Sequence, residues 1–238
     1  MDTILFCQNK QLTSLPDLPE TLNLLFCIDN LLTSITSLPE TLERLYCGNN
    51  RLTLLTSLPK TLKELDVNNN QLTTLHLPDT LKILLCNHNH LTSLQPLPDS
   101  LKDLSCDHNQ LTSLPPLPKT LEGLSCENNQ LTSLPPLPET LKFLECTHNK
   151  LTSLPPLPEK LQYLYCDKLT SLPDLPWSLI NMQKEKLNQH NKKRIDLQMK
   201  TVKNLPNKKT WDQINEQHII WQYRIGGEKY NEAVNKLI

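Results

Sequence analysis

A chain of 238 residues with 19 prolines, 4 glycines and few aromatics can build one domain or two, and it contains no phosphate-cradling G-x-x-x-x-G-K-S/T. The net charge of −1 excludes a uniformly basic nucleic-acid binder but hides an asymmetry: residues 1–176 carry 12 basic and 19 acidic side chains (−7), residues 177–238 carry 12 and 6 (+6). Two solvated surfaces of opposite sign that attract each other account for this more simply than a tail for nucleic acid or an acidic membrane, because acids interrupt the tail's basic residues.

Cysteines mark a period of 20 at Cys7, Cys27, Cys47, Cys86, Cys106, Cys126, Cys146 and Cys166, with Val67 filling the vacant place between Cys47 and Cys86. A fixed period of this length predicts a solenoid. Within the copy that starts at Leu121, apolar residues fall at Leu121, Leu124, Cys126, Leu131, Leu134 and Leu137. The alternation Leu124-x-Cys126 is that of a short strand with one buried face, and copies of it can pair as a parallel sheet. The return to the next strand contains Leu-Pro-Pro-Leu-Pro, which excludes helix and predicts an extended, polyproline-like path on the convex face. Asn30, Asn50, Asn70, Asn89, Asn109, Asn129 and Asn149 share the place where the strand bends into the core. A buried amide there can satisfy backbone groups that the bend leaves unpaired.

In chain order, the first repeat is atypical: Asp2 replaces a leucine and Lys10 the ladder asparagine. Its strand presents an open edge near Ile4 and Phe6, where weak self-association is expected. The second and third repeats lose the early proline (LTSITSLP, LTLLTSLP), and the fourth is one residue short. Repeats five to eight are nearly identical in their returns, and the ninth lacks the asparagine. About nine repeats therefore span residues 1–177. Residues 178–238 form a second, basic segment predicted to be helical. One helix is expected from near Ser178 to near Lys203, with Trp177 covering the last repeat. A second follows a capping box at Thr210-Trp211-Asp212-Gln213 and ends at Gly226-Gly227. Glu228 to Ile238 makes a final short helix. This tail is either a cap for the solenoid or a docking segment.

The wording LxxLxCxxNxLTSLPxLPxT, carried by Leu101 to Pro118 and its copies from Leu121 and Leu141, is that of the leucine-rich repeat. It resembles the short 20-residue, proline-rich class found in bacterial effectors of the YopM and IpaH kind, and the leucine-rich proteins of giant viruses of amoebae. The resemblance runs from Asp2 to about Trp177. It implies a leucine-rich repeat solenoid whose strands line a concave face, and a protein-binding rather than catalytic role, directed at a host for a virus or effector. The fold itself is an adaptable surface and does not name a partner.

Eight cysteines in one inward place that valine also fills read as small buried hydrophobes rather than as disulfides or metal ligands. Met1-Asp2-Thr3 runs into the first repeat with no secretory leader, and no transmembrane run occurs. A reducing cytosol, that of a host cell included, is the expected compartment.

Three columns should face outward from the strands. They contain an apolar group, Ile4, Phe6, Leu24, Phe26, Ile28 and Tyr46, a second one, Phe143, Tyr163 and Tyr165, and between them Asp66, Asp103, Asp107, Glu127 and Glu145. Aromatic anchors around an acidic middle suit a protein of basic character, although cross-strand aromatics also pack on one another. His88, His108 and His148 share a further column, read as polar surface rather than as a metal site or pH sensor. The related effector ubiquitin ligases carry a large C-terminal catalytic domain with a nucleophilic cysteine. Here the last cysteine, Cys166, lies in the ladder, and Asp103 and Asp107 are expected to be solvated and untuned. No catalytic residue, metal or cofactor is expected. The function read from the sequence is a non-enzymatic interaction module. The alternative is an adaptor whose basic tail recruits ubiquitin-ligase machinery or docks on nucleic acid.

Overall fold

The computed structural model describes residues 3–167, 169–171, 173–174 and 176, together with the backbone of residues 181–182. The expected domain boundary at 177/178, Trp177 as a cover and the tail helices lie outside the described residues.

The chain builds short strands in order: β1 (Thr3–Phe6), β2 (Leu22–Phe26), β3 (Ser34–Ile35), β4 (Arg44–Tyr46), β5 (Leu54–Leu55), β6 (Glu64–Asp66), β7 (Ile83–Leu85), β8 (Asp103–Ser105), β9 (Gly123–Ser125), β10 (Phe143–Glu145), β11 (Tyr163–Tyr165) and β12 (Asn181–Met182). All but β3 and β5 form one ten-stranded sheet, ordered β1-β2-β4-β6-β7-β8-β9-β10-β11-β12. Every pairing is parallel, and each strand lies one repeat from its neighbour, as in Leu104↔Leu124 and Leu124↔Leu144. This is the parallel-strand leucine-rich solenoid that the period predicts.

The core follows from the pattern. The central strand residues Leu45, Leu84, Leu124 and Leu144 are fully buried, as are the leucines that open each repeat, such as Leu101 and Leu121. All eight cysteines are buried free thiols, and Val67 is buried in the same row. The thiols lean on the sheet: Cys106 Sγ donates to the Ser125 carbonyl and Cys126 Sγ to the Glu145 carbonyl, each at 3.4 Å. Burial pushes the Cys7 thiol up to about 11 and that of Cys166 to about 12. The protonated thiol is thus the native form, inert as a nucleophile.

The asparagines are clamps between repeats. Asn109 Nδ2 donates to the carbonyls of Cys106 and Asp107 in its own repeat and to Cys86 in the repeat before, while its Oδ1 accepts from Leu91 N at 3.0 Å. Asn50, Asn129 and Asn149 repeat the arrangement on their own neighbours. Each clamp therefore reaches back to the preceding repeat. A second row, which the sequence reading did not assign, closes the other end of each repeat. Thr120 Oγ1 donates to Asp99 O at 2.6 Å and to Leu101 O at 2.7 Å, and Thr41, Thr61, Thr80, Ser100 and Thr140 do the same. A turn then redirects the chain into the next strand, with Leu121 N donating to Pro118 O at 3.1 Å.

The returns are extended and largely free of regular structure, with one difference from expectation. β3 and β5 pair in parallel on the return side, Ser34↔Leu54 and Ile35↔Leu55. They occur in the two repeats where Thr36 and Thr56 replace the early proline, so the backbone there can pair across repeats.

Asn109→Ala would strand Leu91 N in the core and take one of two side-chain donors from each of the carbonyls of Cys86 and Cys106, which keep Asn89 Nδ2 and Asn129 Nδ2. A loss of about 2 kcal/mol is expected, from the one buried amide left unsatisfied. Urea unfolding of the variant tests it, and a loss below about 1 kcal/mol would show that the clamp is not what joins the repeats.

Candidate functional site

The strands hold the candidate surface in fixed columns. Around each buried central leucine, the residue before and the residue after point to the opposite face. The register places Ile4, Leu24, Arg44, Glu64, Ile83, Asp103, Gly123, Phe143 and Tyr163 in one column and Phe6, Phe26, Tyr46, Asp66, Leu85, Ser105, Ser125, Glu145 and Tyr165 in the next. Both are the columns expected from sequence.

How far these residues reach solvent differs from expectation. Only Ile4 and Phe6 among the apolar members are strongly exposed, at 45% and 53%. Leu24 (6%), Tyr46 (5%), Phe143 (7%) and Tyr163 (6%) are buried, which corrects their reading as open anchors. Phe26, Ile28, Asp66, Asp103, Asp107, Glu127, Glu145 and Tyr165 are half-buried. The cause is the spacing of parallel strands, about 4.8 Å, which is close to the distance at which rings touch. Phe6, Phe26 and Tyr46 stack with centroids 5.1 and 4.7 Å apart, and Tyr46 donates its hydroxyl to Glu64 Oε2 at 2.5 Å. Phe143 meets Tyr163 at 6.4 Å and Tyr165 at 5.8 Å, tilted against both. Burial raises the Tyr163 phenol pKa above its ordinary value. The column is equally tight at Gly123, where a Cβ would come within 2.6 Å of Asp103 Oδ1.

The acidic middle is wired into the sheet. Asn68 Oδ1 accepts from Asn87 N, Asn87 Oδ1 from Asp107 N, and Asp107 Oδ1 from Glu127 N, each at 2.7 Å. Asp107 also accepts from Ser125 Oγ at 2.8 Å and from Ser105 Oγ at 3.3 Å. Glu145 accepts from Thr147 Oγ1, and Asp167 Oδ1 accepts from His148 N at 3.0 Å. This polar ladder was missed in the sequence, although Asn68, Asn87 and Asp107 recur one repeat apart and could have marked it. Asp107 is not the solvated, untuned carboxylate expected: burial outweighs its hydrogen bonds and raises its pKa. Asp66 goes further. Burial lifts it to about 6, against one opposing hydrogen bond from Asn68 N at 2.9 Å.

The histidine column has a backbone explanation. Asn9, Asp29, Asn49, Asn69, His88, His108, Asn128 and His148 all have positive φ, between 52° and 56°. Among the described residues only asparagine, aspartate and histidine occupy it, the side chains most tolerant of that conformation after glycine. His88 and His108 stack at 4.1 Å, and burial, then its neighbour, lowers the His88 pKa. His148 Nδ1 lies 3.1 Å from Glu127 Oε1. Among the described residues, no group of three His, Cys, Asp or Glu side chains is placed to hold a metal ion, and no helix is long and apolar enough to cross a membrane.

Comparison with known proteins fits this geometry. A family described as "Leucine Rich repeats (2 copies)" matches residues 99–139 and 119–159, and "Leucine Rich Repeat" matches residues 61–82. YopM from Yersinia enterocolitica WA-314 is similar in structure at a TM-score of 0.68 and 41% identity, covering 71% of this chain and 38% of that one. YopM from Yersinia pestis gives 0.51 and 32% identity over 74% of this chain and 64% of its own length. The leucine-rich repeat domain of a Shigella effector gives 0.52 and 27% identity, covering 82% and 74%. The chain thus spans less than two thirds of either YopM chain. No curated protein matches it.

Asp66 sets an expected pH dependence. Its folded pKa of about 6 lies above the ordinary value of 3.8, so the native state holds a proton that the unfolded chain releases. Stability from this group is therefore full below the unfolded value and lost as pH rises through about 6. Asp66→Asn should raise stability at pH 7 by up to about 3 kcal/mol and change little near pH 3.5. Thermal unfolding of both proteins across that range checks it, and an equal gain at both ends would refute the assignment.

Proposed function

This chain is a leucine-rich repeat protein resembling the YopM-type effectors, and from that premise we propose that it is a non-enzymatic module whose concave strand face grips a protein of basic character. The observation that carries the reading is the contrast between inside and outside. The inward row repeats leucine and cysteine almost without change, whereas the outward columns differ at nearly every repeat. Packing alone does not require that variety.

Within that face, the accessible apolar part is Ile4 and Phe6 with half-buried Phe26 and Ile28, and it borders the acids Asp66, Asp103, Asp107, Glu127 and Glu145. A buried apolar centre beside charged groups is the usual anatomy of a specific interface. Acidic columns on strands favour a basic partner and a salt-sensitive association rate. Tyr165 extends the surface at the other end, behind the buried pair Phe143 and Tyr163. The raised thiol pKa values of Cys126 and Cys146 are consistent with a non-catalytic role, since the thiolate is the nucleophile. Effector-like neighbours support action in the cytosol of a host cell.

Proximity labelling with the full chain in its native cell should yield a partner set enriched in basic proteins. Phe6→Glu with Ile28→Glu should reduce their recovery roughly tenfold, about 1.4 kcal/mol, with little change in melting temperature. Recovery of the same set at the same level by this double variant would rule out the concave face as the binding surface.

A further inference from the structure

β1 ends the sheet among the described residues. What its outer edge offers can be read from the repeats that follow. At the place of Phe6, each carbonyl accepts the amide of the preceding repeat's cysteine: Phe26 O from Cys7 N, Tyr46 O from Cys27 N and Asp66 O from Cys47 N, each at 2.8 Å. At the place of Ile4, each amide donates to the preceding repeat, as Asp103 N does to Lys82 O and Gly123 N to Lys102 O, both at 3.1 Å. In β1 the corresponding groups, Phe6 C=O and Ile4 N–H, face outward. Lys10 meets the first of these: its Nζ donates to Phe6 O at 3.3 Å.

Lys10 stands where later repeats carry the clamp asparagine. That asparagine's task is to bond the repeat before it, and β1 has no such repeat among the described residues. The lysine supplies instead a donor for the edge carbonyl and a charge that discourages another strand, a common protection of open edges. Beside it lie Ile4 and Phe6, both strongly exposed, with Phe6 continuing the stacked column of Phe26 and Tyr46.

We propose that the outer edge of β1 is a strand-addition site for a second copy of this chain, held shut by Lys10. The edge is self-complementary. In antiparallel pairing about Leu5, Ile4 of one copy lies opposite Phe6 of the other, so the outward Ile4 amide meets the outward Phe6 carbonyl. Both side chains share one face and cover each other across the dyad. For this to happen, Lys10 must release Phe6 O, and two lysines must tolerate each other near the dyad. The wild-type chain therefore pairs weakly, and loss of the lysine charge strengthens pairing.

Sedimentation velocity of the full chain over a concentration series tests this. Lys10→Ala should dimerise at a roughly tenfold lower concentration than wild type. Adding Ile4→Pro, which removes the outward donor without removing a ladder bond inside the chain, should reverse the gain. Should Lys10→Ala cost the fold, wild type against Ile4→Pro alone at the highest attainable concentration gives the same reading, with more dimer in wild type. The proposal fails if Lys10→Ala associates no more tightly than wild type. It fails equally if the double variant keeps associating, or if wild type and Ile4→Pro behave alike.

Discussion

The buried side-chain amide between successive repeats is the interaction from which the rest of the structure follows. Where the strand bends inward, the carbonyls of three residues, two of one repeat and one of the repeat before, converge on one place in the core. One asparagine answers all three and also receives an amide of the preceding repeat. No other side chain has donors and an acceptor at this length without a charge. With the bend fixed, the strand register is fixed, and with it the thiol row on one side and the variable columns on the other.

That constraint made much of the fold legible from sequence. The asparagines, the cysteines and the replacement of one cysteine by Val67 fix the repeat, its length and the inward face, because buried places accept few residues. The outward columns were legible as positions for the same reason, by alternation from Leu124 and Leu144. That the first repeat departs from the others was also visible, since Lys10 is out of pattern, though its contact with Phe6 O was not.

Exposure was not legible. Alternation tells which way Leu24, Tyr46, Phe143 and Tyr163 point, but not that strands about 4.8 Å apart let large neighbours cover one another. The acids show a similar gap. Asp107 looks in sequence like a surface charge, yet in the structure it accepts from Glu127 N and Ser125 Oγ and holds adjacent repeats together. The histidines were placed correctly as a column, but the reason is backbone conformation, which composition reveals only once asparagine, aspartate and histidine are counted together. The pairing of β3 with β5 depended on two prolines that are missing, an absence easily passed over beside so many that are present.

The backward reach of each clamp gives the solenoid a grammar of inheritance. A unit copied whole carries with it the amide that binds whatever stands before it, so a duplicated unit needs no new joint. Units gained or lost leave every remaining seam of the same kind. The near identity of the copies around Cys106, Cys126 and Cys146 is what such growth by duplication leaves behind, while the outward columns, free of that seam, are where the copies have drifted apart.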